Sequence, residues 1–449
     1  MLSRRDLIKF SLCAGCSALL PSFPQKACAA SLLDNIAFDN DVYTANNAQT
    51  IMVFLYGGAS ELAGNLTNLE QFNPLSDTDY VEYFGTDDMA ATANGFWEAA
   101  GGDIMEELLT TNDLNVFRTC FSQVRWDANN RSHGSCVNQN QRGTFNEDAS
   151  GIFTNLARIL YTNGKIDENT KMPFISMDGE SGFFAHGDLS MIPVLEPISI
   201  DQNLDNPFAR PWDVDAPYSA LMDTLAQARN RQTNLSAKIT DAFAKRHELE
   251  AFINEIKEIP DPVLGVDGSL NYDTRNSFAQ KMKTAVKVLK YNPESKVVAL
   301  STAGLGGWDD HNDADNYLTR MNNLFKVLRT AVAHIKDETT TNMINSINIM
   351  VMGDFGRGVN LNSAYGWDHG NLQTFYNLGG KGYFKTPGVV GETELDPSGD
   401  ANRLYLKPKV GSPWFEPNSI AATIYSIYGV TNPEILTDNN GKISELFPS

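Results

Sequence analysis

Five short runs along the chain are dominated by apolar residues: Thr50–Tyr56, Leu114–Cys120, Met172–Met177, Lys296–Ser301 and Ile347–Met352. A strand with one wet face alternates apolar and polar residues, so near-continuous runs predict strands covered on both faces, as in a parallel sheet. Between them the apolar period lengthens to that of a helix. Phe278, Met282, Ala285 and Leu289 share one helical face, and so do Tyr317, Met321, Leu324, Leu328, Val332 and Ile335. A further stripe, from Leu221 and Leu225 to Leu249 and Phe252, runs through Ala216–Glu258 and predicts an inserted helical hairpin over one edge or rim. Strands alternating with helices place the chain in the α/β class, with a central, mostly parallel sheet flanked by helices. No internal repeat or low-complexity linker interrupts the pattern, so one α/β domain over residues 31–449, with a helical insertion at about 216–258, is expected.

Residues 1–30 follow neither period. They open on charge, continue with an apolar stretch too short to span a bilayer, and end in the small residues Ala27-Cys28-Ala29-Ala30. That order is an export signal. Ser3-Arg4-Arg5-Asp6-Leu7-Ile8-Lys9 fits the twin-arginine pattern, which implies the Tat translocase as a partner during export and a periplasmic or secreted mature protein. No other stretch is long enough to cross a membrane. The formal charge of -20 falls to about -23 without residues 1–30, which carry Arg4, Arg5, Lys9 and Lys26 against Asp6. Such a surface repels nucleic acid and anionic lipid, and repels an anionic substrate unless a local positive centre overcomes the field. Of the five cysteines only Cys120 and Cys136 lie beyond the signal; they are able to pair in an oxidising compartment but make no CxxC zinc spacing.

Ligands in open α/β sheets collect beyond the carboxyl ends of the strands, which singles out the loops there. After the first run comes Gly57-Gly58-Ala59-Ser60-Glu61; after the second, a polar loop leading to Arg131-Ser132-His133-Gly134. Gly306-Gly307-Trp308-Asp309-Asp310-His311 follows the Lys296 run, Gly353-Asp354-Phe355-Gly356-Arg357 follows the Ile347 run, and Gly366-Trp367-Asp368-His369-Gly370 lies a little beyond. Of the 6 histidines in the chain, His133, His311 and His369 sit in these loops beside Ser or Asp. Imidazoles and carboxylates gathered from distant loops are what a divalent cation needs, with zinc, manganese or calcium all compatible. Trp308 and Trp367 read as packing walls. Arg357 suits either bidentate binding of an oxyanion or a salt bridge to Asp354 or Asp368. Asp309–Asp315 lacks the central Gly and terminal Glu of a calcium-binding EF-hand loop.

GGWDDH, GDFGR and GWDHG, in this order and spacing, resemble the segments GWDTH, SEFGR and GTDHG of domain-of-unknown-function family 1501, a family of Tat-exported, sulfatase-like bacterial proteins placed in the alkaline-phosphatase superfamily. The likeness is specific from about Ser277 to Phe384. It implies an alkaline-phosphatase-like sheet and a metal-dependent hydrolase of phosphate or sulfate esters, with a periplasmic polysaccharide or lipid as the substrate expected. By position it makes Asp309 and His311 one ligand group, puts Asp354 after the strand that bears the second, and completes the site with Asp368 and His369. Two departures accompany it. Only Glu61 offers a carboxylate after the first strand, and Asp354 is followed by Phe355 where the superfamily has an imidazole. Ten residues before Gly143 stands His133, with Ser132 before it, where a sulfatase nucleophile would be. Three alternatives remain open: Ser132 is a displaced nucleophile, His133 fills the slot as ligand or covalent acceptor, or the chain is a non-catalytic binding or assembly module.

Changing Arg4 and Arg5 together to Lys is expected to hold the protein in the cytoplasm, because the arginine pair is the recognition element of the twin-arginine signal. Fractionation of cells carrying the double variant checks this; undiminished periplasmic protein would contradict it.

Overall fold

The computed structural model of the chain describes residues 32–179, 181–187, 196–207, 235–265, 268–396 and 403–448, together with Ala220 and Thr224. The expected export signal and most of the first arm of the expected hairpin fall outside these residues. The strands are β1 (Gln49–Leu55), β2 (Leu114–Phe121), β3 (Phe174–Ser176), β4 (Ile198–Ser199), β5 (Val297–Ser301), β6 (Ile347–Gly353), β7 (Leu372–Gly379) and β8 (Val389–Val390). They form one sheet in the order β4-β3-β5-β1-β6-β7-β2-β8. All five predicted strands are present, and β1 lies between β5 and β6 with Ile51 opposite Val298 and Ile349. Neighbours are parallel throughout except at β7, which runs antiparallel to both β6 and β2. The protein is therefore an α/β fold with a mostly parallel sheet.

The helices that matter here are α1 (His133–Arg142), α2 (Ile152–Thr162), α3 (Leu235–Glu258), α4 (Ser277–Tyr291), α5 (Tyr317–Lys336) and α6 (Asn418–Ile427). Successive side chains of a strand point to opposite faces, and the core divides accordingly. Ile51 and Val53 of β1 join Val298, Ile349 and Val351 on one face, covered by α4 and α5. Met52 and Phe54 join Ala299, Met350 and Met352 on the other, covered by α2 and α6. The predicted apolar faces of α4 and α5 are buried along their length. The second arm of the expected hairpin is the single helix α3, with Ile253 and Ile256 buried in the same layer as α4. Cys120 and Cys136 are both buried and free. Among the described residues no helix is long and apolar enough to cross a membrane.

Strand β7 is the long strand that the sequence pattern missed, beside the two-residue strands β4 and β8. Gln373, Thr374 and Asn377 interrupt its apolar run, yet all three are buried. Each accepts or donates inside the protein: Gly353 N donates to Gln373 Oε1 at 3.0 Å, Thr374 Oγ1 donates to the Glu61 carbonyl at 3.2 Å, and Asn115 Nδ2 donates to Asn377 Oδ1 at 3.1 Å. A buried strand can carry polar residues when they are hydrogen-bonded, and sequence periodicity does not register that.

At the rim, the turn after β1 meets the loop after β5 with no room between them. Gly57 has φ +109, and a Cβ there would lie 2.6 Å from Asp309 N and 2.9 Å from the Trp308 carbonyl carbon. Gly57→Ala is therefore expected to cost roughly 1–3 kcal/mol of stability, since both obstacles are backbone. Gly307, with open space around its Cβ position, is the control: Gly307→Ala should leave the urea midpoint almost unchanged. Equal midpoints for the two variants would contradict the close approach.

Candidate metal centre

The parallel strands β1, β5, β6 and β2 all end at one rim, which brings their following loops together. Because β7 runs the other way, the residues before it, Asp368 and His369, start from that same rim. A hydrophobic floor fixes the loops. Trp308 and Trp367 are fully buried, and each indole finds an acceptor: Trp308 Nε1 donates to Thr302 Oγ1 and Trp367 Nε1 to Tyr80 Oη, both at 2.6 Å. They are the packing walls expected of them.

Above this floor His133, Asp309, His311 and His369 converge, with one ligand atom from each lying within 4.8 Å of the others. Asp309 Oδ1 is 3.4 Å from His133 Nε2, 3.5 Å from His311 Nε2 and 3.9 Å from His369 Nε2. Around a tetrahedral ion with bonds of ~2.0–2.1 Å, ligand atoms stand about 3.3 Å apart. The far sides of the rings are held by acceptors. His369 Nδ1 donates to the Arg131 carbonyl at 2.6 Å, and His133 Nδ1 is 2.8 Å from Asp354 Oδ2. A carbonyl only accepts, so His369 carries its proton on Nδ1 and turns a lone pair on Nε2 into the cluster. Behind His311, Asp368 Oδ1 stands 3.6 Å from Nδ1. Nδ1 facing an acceptor and Nε2 turned toward a common point is the arrangement that orients metal-binding imidazoles.

Two observations test whether a cation fits. His133 Nε2 is buried without a hydrogen-bond partner. His311 Nε2 and His369 Nε2 are 2.6 Å apart, so either a hydrogen on one ring or a cation separates their lone pairs. The donor set therefore suits a cation. Burial, with the positive charge of Arg357 next, pushes His369 down to about 4, so this imidazole stays neutral. At Asp309 burial would raise the carboxyl, but the hydrogen bond and charge of Arg357 outweigh it and hold the group below its ordinary value. The imidazoles are partly exposed and Asp309 is half-exposed, so the cluster opens on solvent.

Other candidates stand elsewhere than the sequence suggested. Arg357 pairs with Asp309 rather than with Asp354 or Asp368, through Nη2 to Oδ1 at 2.6 Å. Its side chain is fully buried and its remaining donors go to main-chain carbonyls, so it presents nothing to an oxyanion. Glu61 is not beside the cluster: it is buried, with Oε2 accepting from the Arg357 main-chain N at 2.9 Å. Burial pushes its carboxyl up to about 8, against the pull of Arg357, leaving it neutral at pH 7. Asp354 and Asp368 stand behind His133 and His311 rather than among the converging atoms, and Asp368 Oδ2 also pairs with Arg403 Nε at 2.9 Å. Burial raises the Asp354 carboxyl despite hydrogen bonds from His133 and Gly57. Ser132 is exposed at the N-cap of α1 and makes no capping bond.

The imidazole beside Asp354 is that of His133, on α1. Next along the chain from Asp354, Phe355 packs against the rings of His133 and His369, with centroids 4.8 and 4.5 Å away. Sequence reasoning did not find the Arg131 carbonyl as the partner of His369, because a main-chain acceptor has no side-chain signature. It also overlooked Arg125, a second buried guanidinium, whose Nη1 donates to the Asp354 carbonyl at 3.3 Å.

No curated protein matches the chain. Among solved structures it is similar to the lipoteichoic acid synthase LtaP from Listeria monocytogenes, with 9% identity, a TM-score of 0.30, and coverage of 91% of this chain and 80% of that one. The family described as "Protein of unknown function (DUF1501)" matches residues 213–444. That span carries Asp309, His311, Asp354, Arg357, Asp368 and His369, and the chain belongs to this family.

Proposed function

We propose that the mature chain is an exported, metal-dependent hydrolase of phosphate or sulfate esters, with His133, Asp309, His311 and His369 as ligands to one divalent ion. The observation that carries this reading is the convergence of three imidazole Nε2 atoms and one carboxylate oxygen on a point open to solvent. Calcium takes six to eight oxygen ligands, and this set has one carboxylate. Three nitrogens favour zinc, with manganese second. Bound there, the ion supplies Lewis acidity and the local positive charge that draws an anionic ester through an acidic surface.

The chain's own groups do the rest. Asp354 and the Arg131 carbonyl hold two imidazoles in register, and Trp308, Trp367 and Phe355 exclude water from below. Ser132 takes the nucleophile's role in this reading, since it is exposed and adjoins His133. The first N–H groups of α1 have no side-chain cap, which leaves them to an oxyanion. One observation favours a second reading, a non-catalytic binding or assembly module: Arg357, the cation nearest the cluster, has its donors committed to the protein.

Mature protein prepared without chelator is expected to carry stoichiometric zinc, and chelation should lower its melting temperature. Zinc at about 100 times its Kd should restore about 2.7 kcal/mol. Replacing His311 and His369 with Ala should abolish both the metal and the chelator sensitivity. The loaded protein should hydrolyse an aryl phosphate or an aryl sulfate, and Ser132→Ala should stop turnover while keeping the zinc. Zinc binding without turnover of either ester would leave the binding module; a wild-type protein that takes up no ion would end the metal reading itself.

A further inference from the structure

We infer that Arg357 is the positioning residue that assembles the metal centre in advance of the ion, by bonding together three loops: the turn after β1, the loop after β5 that carries Asp309 and His311, and the segment before β7 that carries His369; the inference rests on the metal-binding reading above. Its guanidinium reaches all three. Nε donates to the Gly58 carbonyl at 2.7 Å and Nη2 to the Gly57 carbonyl, in the turn after β1. Nη2 also donates to the Trp308 carbonyl at 3.1 Å and to Asp309 Oδ1 at 2.6 Å, in the loop after β5. Nη1 donates to the Trp367 carbonyl at 3.0 Å, two residues before His369. The main chain joins in, since Arg357 and His369 form an isolated antiparallel bridge and Arg357 N donates to buried Glu61 Oε2.

A planar fork of five N–H groups can meet acceptors on several sides at once, whereas an ammonium offers three donors from one point. The same residue also has a charge, and the two roles predict opposite results. If charge were all that mattered, removing it would tighten cation binding by removing a repulsion, and Lys would preserve the wild-type behaviour. If positioning dominates, Met and Lys both weaken binding, because neither holds the three loops.

Hydrogen exchange on the wild-type mature protein, chelator-stripped and then zinc-loaded, gives the first test. Amides of the joined loops are bonded within the protein, among them Gly57 N to Asp354 Oδ2, Trp308 N to the Tyr56 carbonyl and Trp367 N to the Asp310 carbonyl. They should be protected before zinc is added. Free exchange at all three until zinc arrives would overturn the inference, since the ion would then be ordering the loops. The second test is cobalt(II) titration followed by visible absorption, in wild type, Arg357→Met and Arg357→Lys. Both variants should bind roughly 10- to 100-fold more weakly, the loss typical of a group that orients ligands. Wild-type affinity in the Lys variant, or tighter binding in the Met variant, would overturn the positioning role while leaving the metal site intact. Absence of cobalt and zinc uptake by wild type would remove both readings together. Should neither variant fold, hydrogen exchange on the wild type decides.

Discussion

A guanidinium with no exposed surface must find acceptors on every side, because an unpaired charge out of water costs several kcal/mol. Arg357 meets that demand with four loop carbonyls and the Asp309 carboxylate. The buried charge and the assembled rim are one arrangement seen from two ends. The loops must come together to satisfy the arginine, and once together they turn Asp309, His311 and His369 toward a common point. The pairing also leaves its mark on the electrostatics. Arg357 cancels the charge of the one carboxylate among the converging groups, so a dication held there by three neutral imidazoles would keep most of its charge for an anionic ligand.

The sheet makes this possible through the direction of one strand. Loops after parallel strands share a rim, but the Asp368–His369 segment precedes its strand, and only an antiparallel β7 returns it to that side. Placed between β6 and β2, β7 also separates the loop carrying Asp354 from the segment leading to His133. Helix α1 closes that distance by turning His133 back onto Asp354 Oδ2 at 2.8 Å. An imidazole from another part of the chain thus stands beside the carboxylate that Phe355 follows in sequence.

Much of this was legible beforehand. The parallel strands announced themselves because buried strands of that kind are apolar on both faces, and α4 and α5 because their apolar residues repeat at the helical period. The loops at the strand ends followed from the α/β class, and three of the four converging groups came from motifs with recognisable spacing. Depth was not legible. Glu61 and Arg357 lie in loops at the same rim as the converging residues, and nothing in their order along the chain distinguishes a side chain on the rim from one beneath it. Glu61 goes under because Ser60 and Ala63 are pinned by Tyr317: Tyr317 Oη donates to the Ser60 carbonyl at 2.8 Å, and Ala63 N donates to Tyr317 Oη at 3.0 Å. β7 was hidden by polar residues whose partners lie on neighbouring strands, and partners of that kind are visible only after folding.

The central claim is that His133, Asp309, His311 and His369 form the first coordination shell of one divalent ion. X-ray absorption at the zinc edge, on protein loaded with stoichiometric zinc, reads that shell directly. Three imidazoles and a carboxylate oxygen should appear at ~2.0–2.1 Å, with the multiple scattering of imidazole rings and no sulfur. A shell of oxygens without imidazole scattering, or a protein that retains no zinc, would contradict the claim.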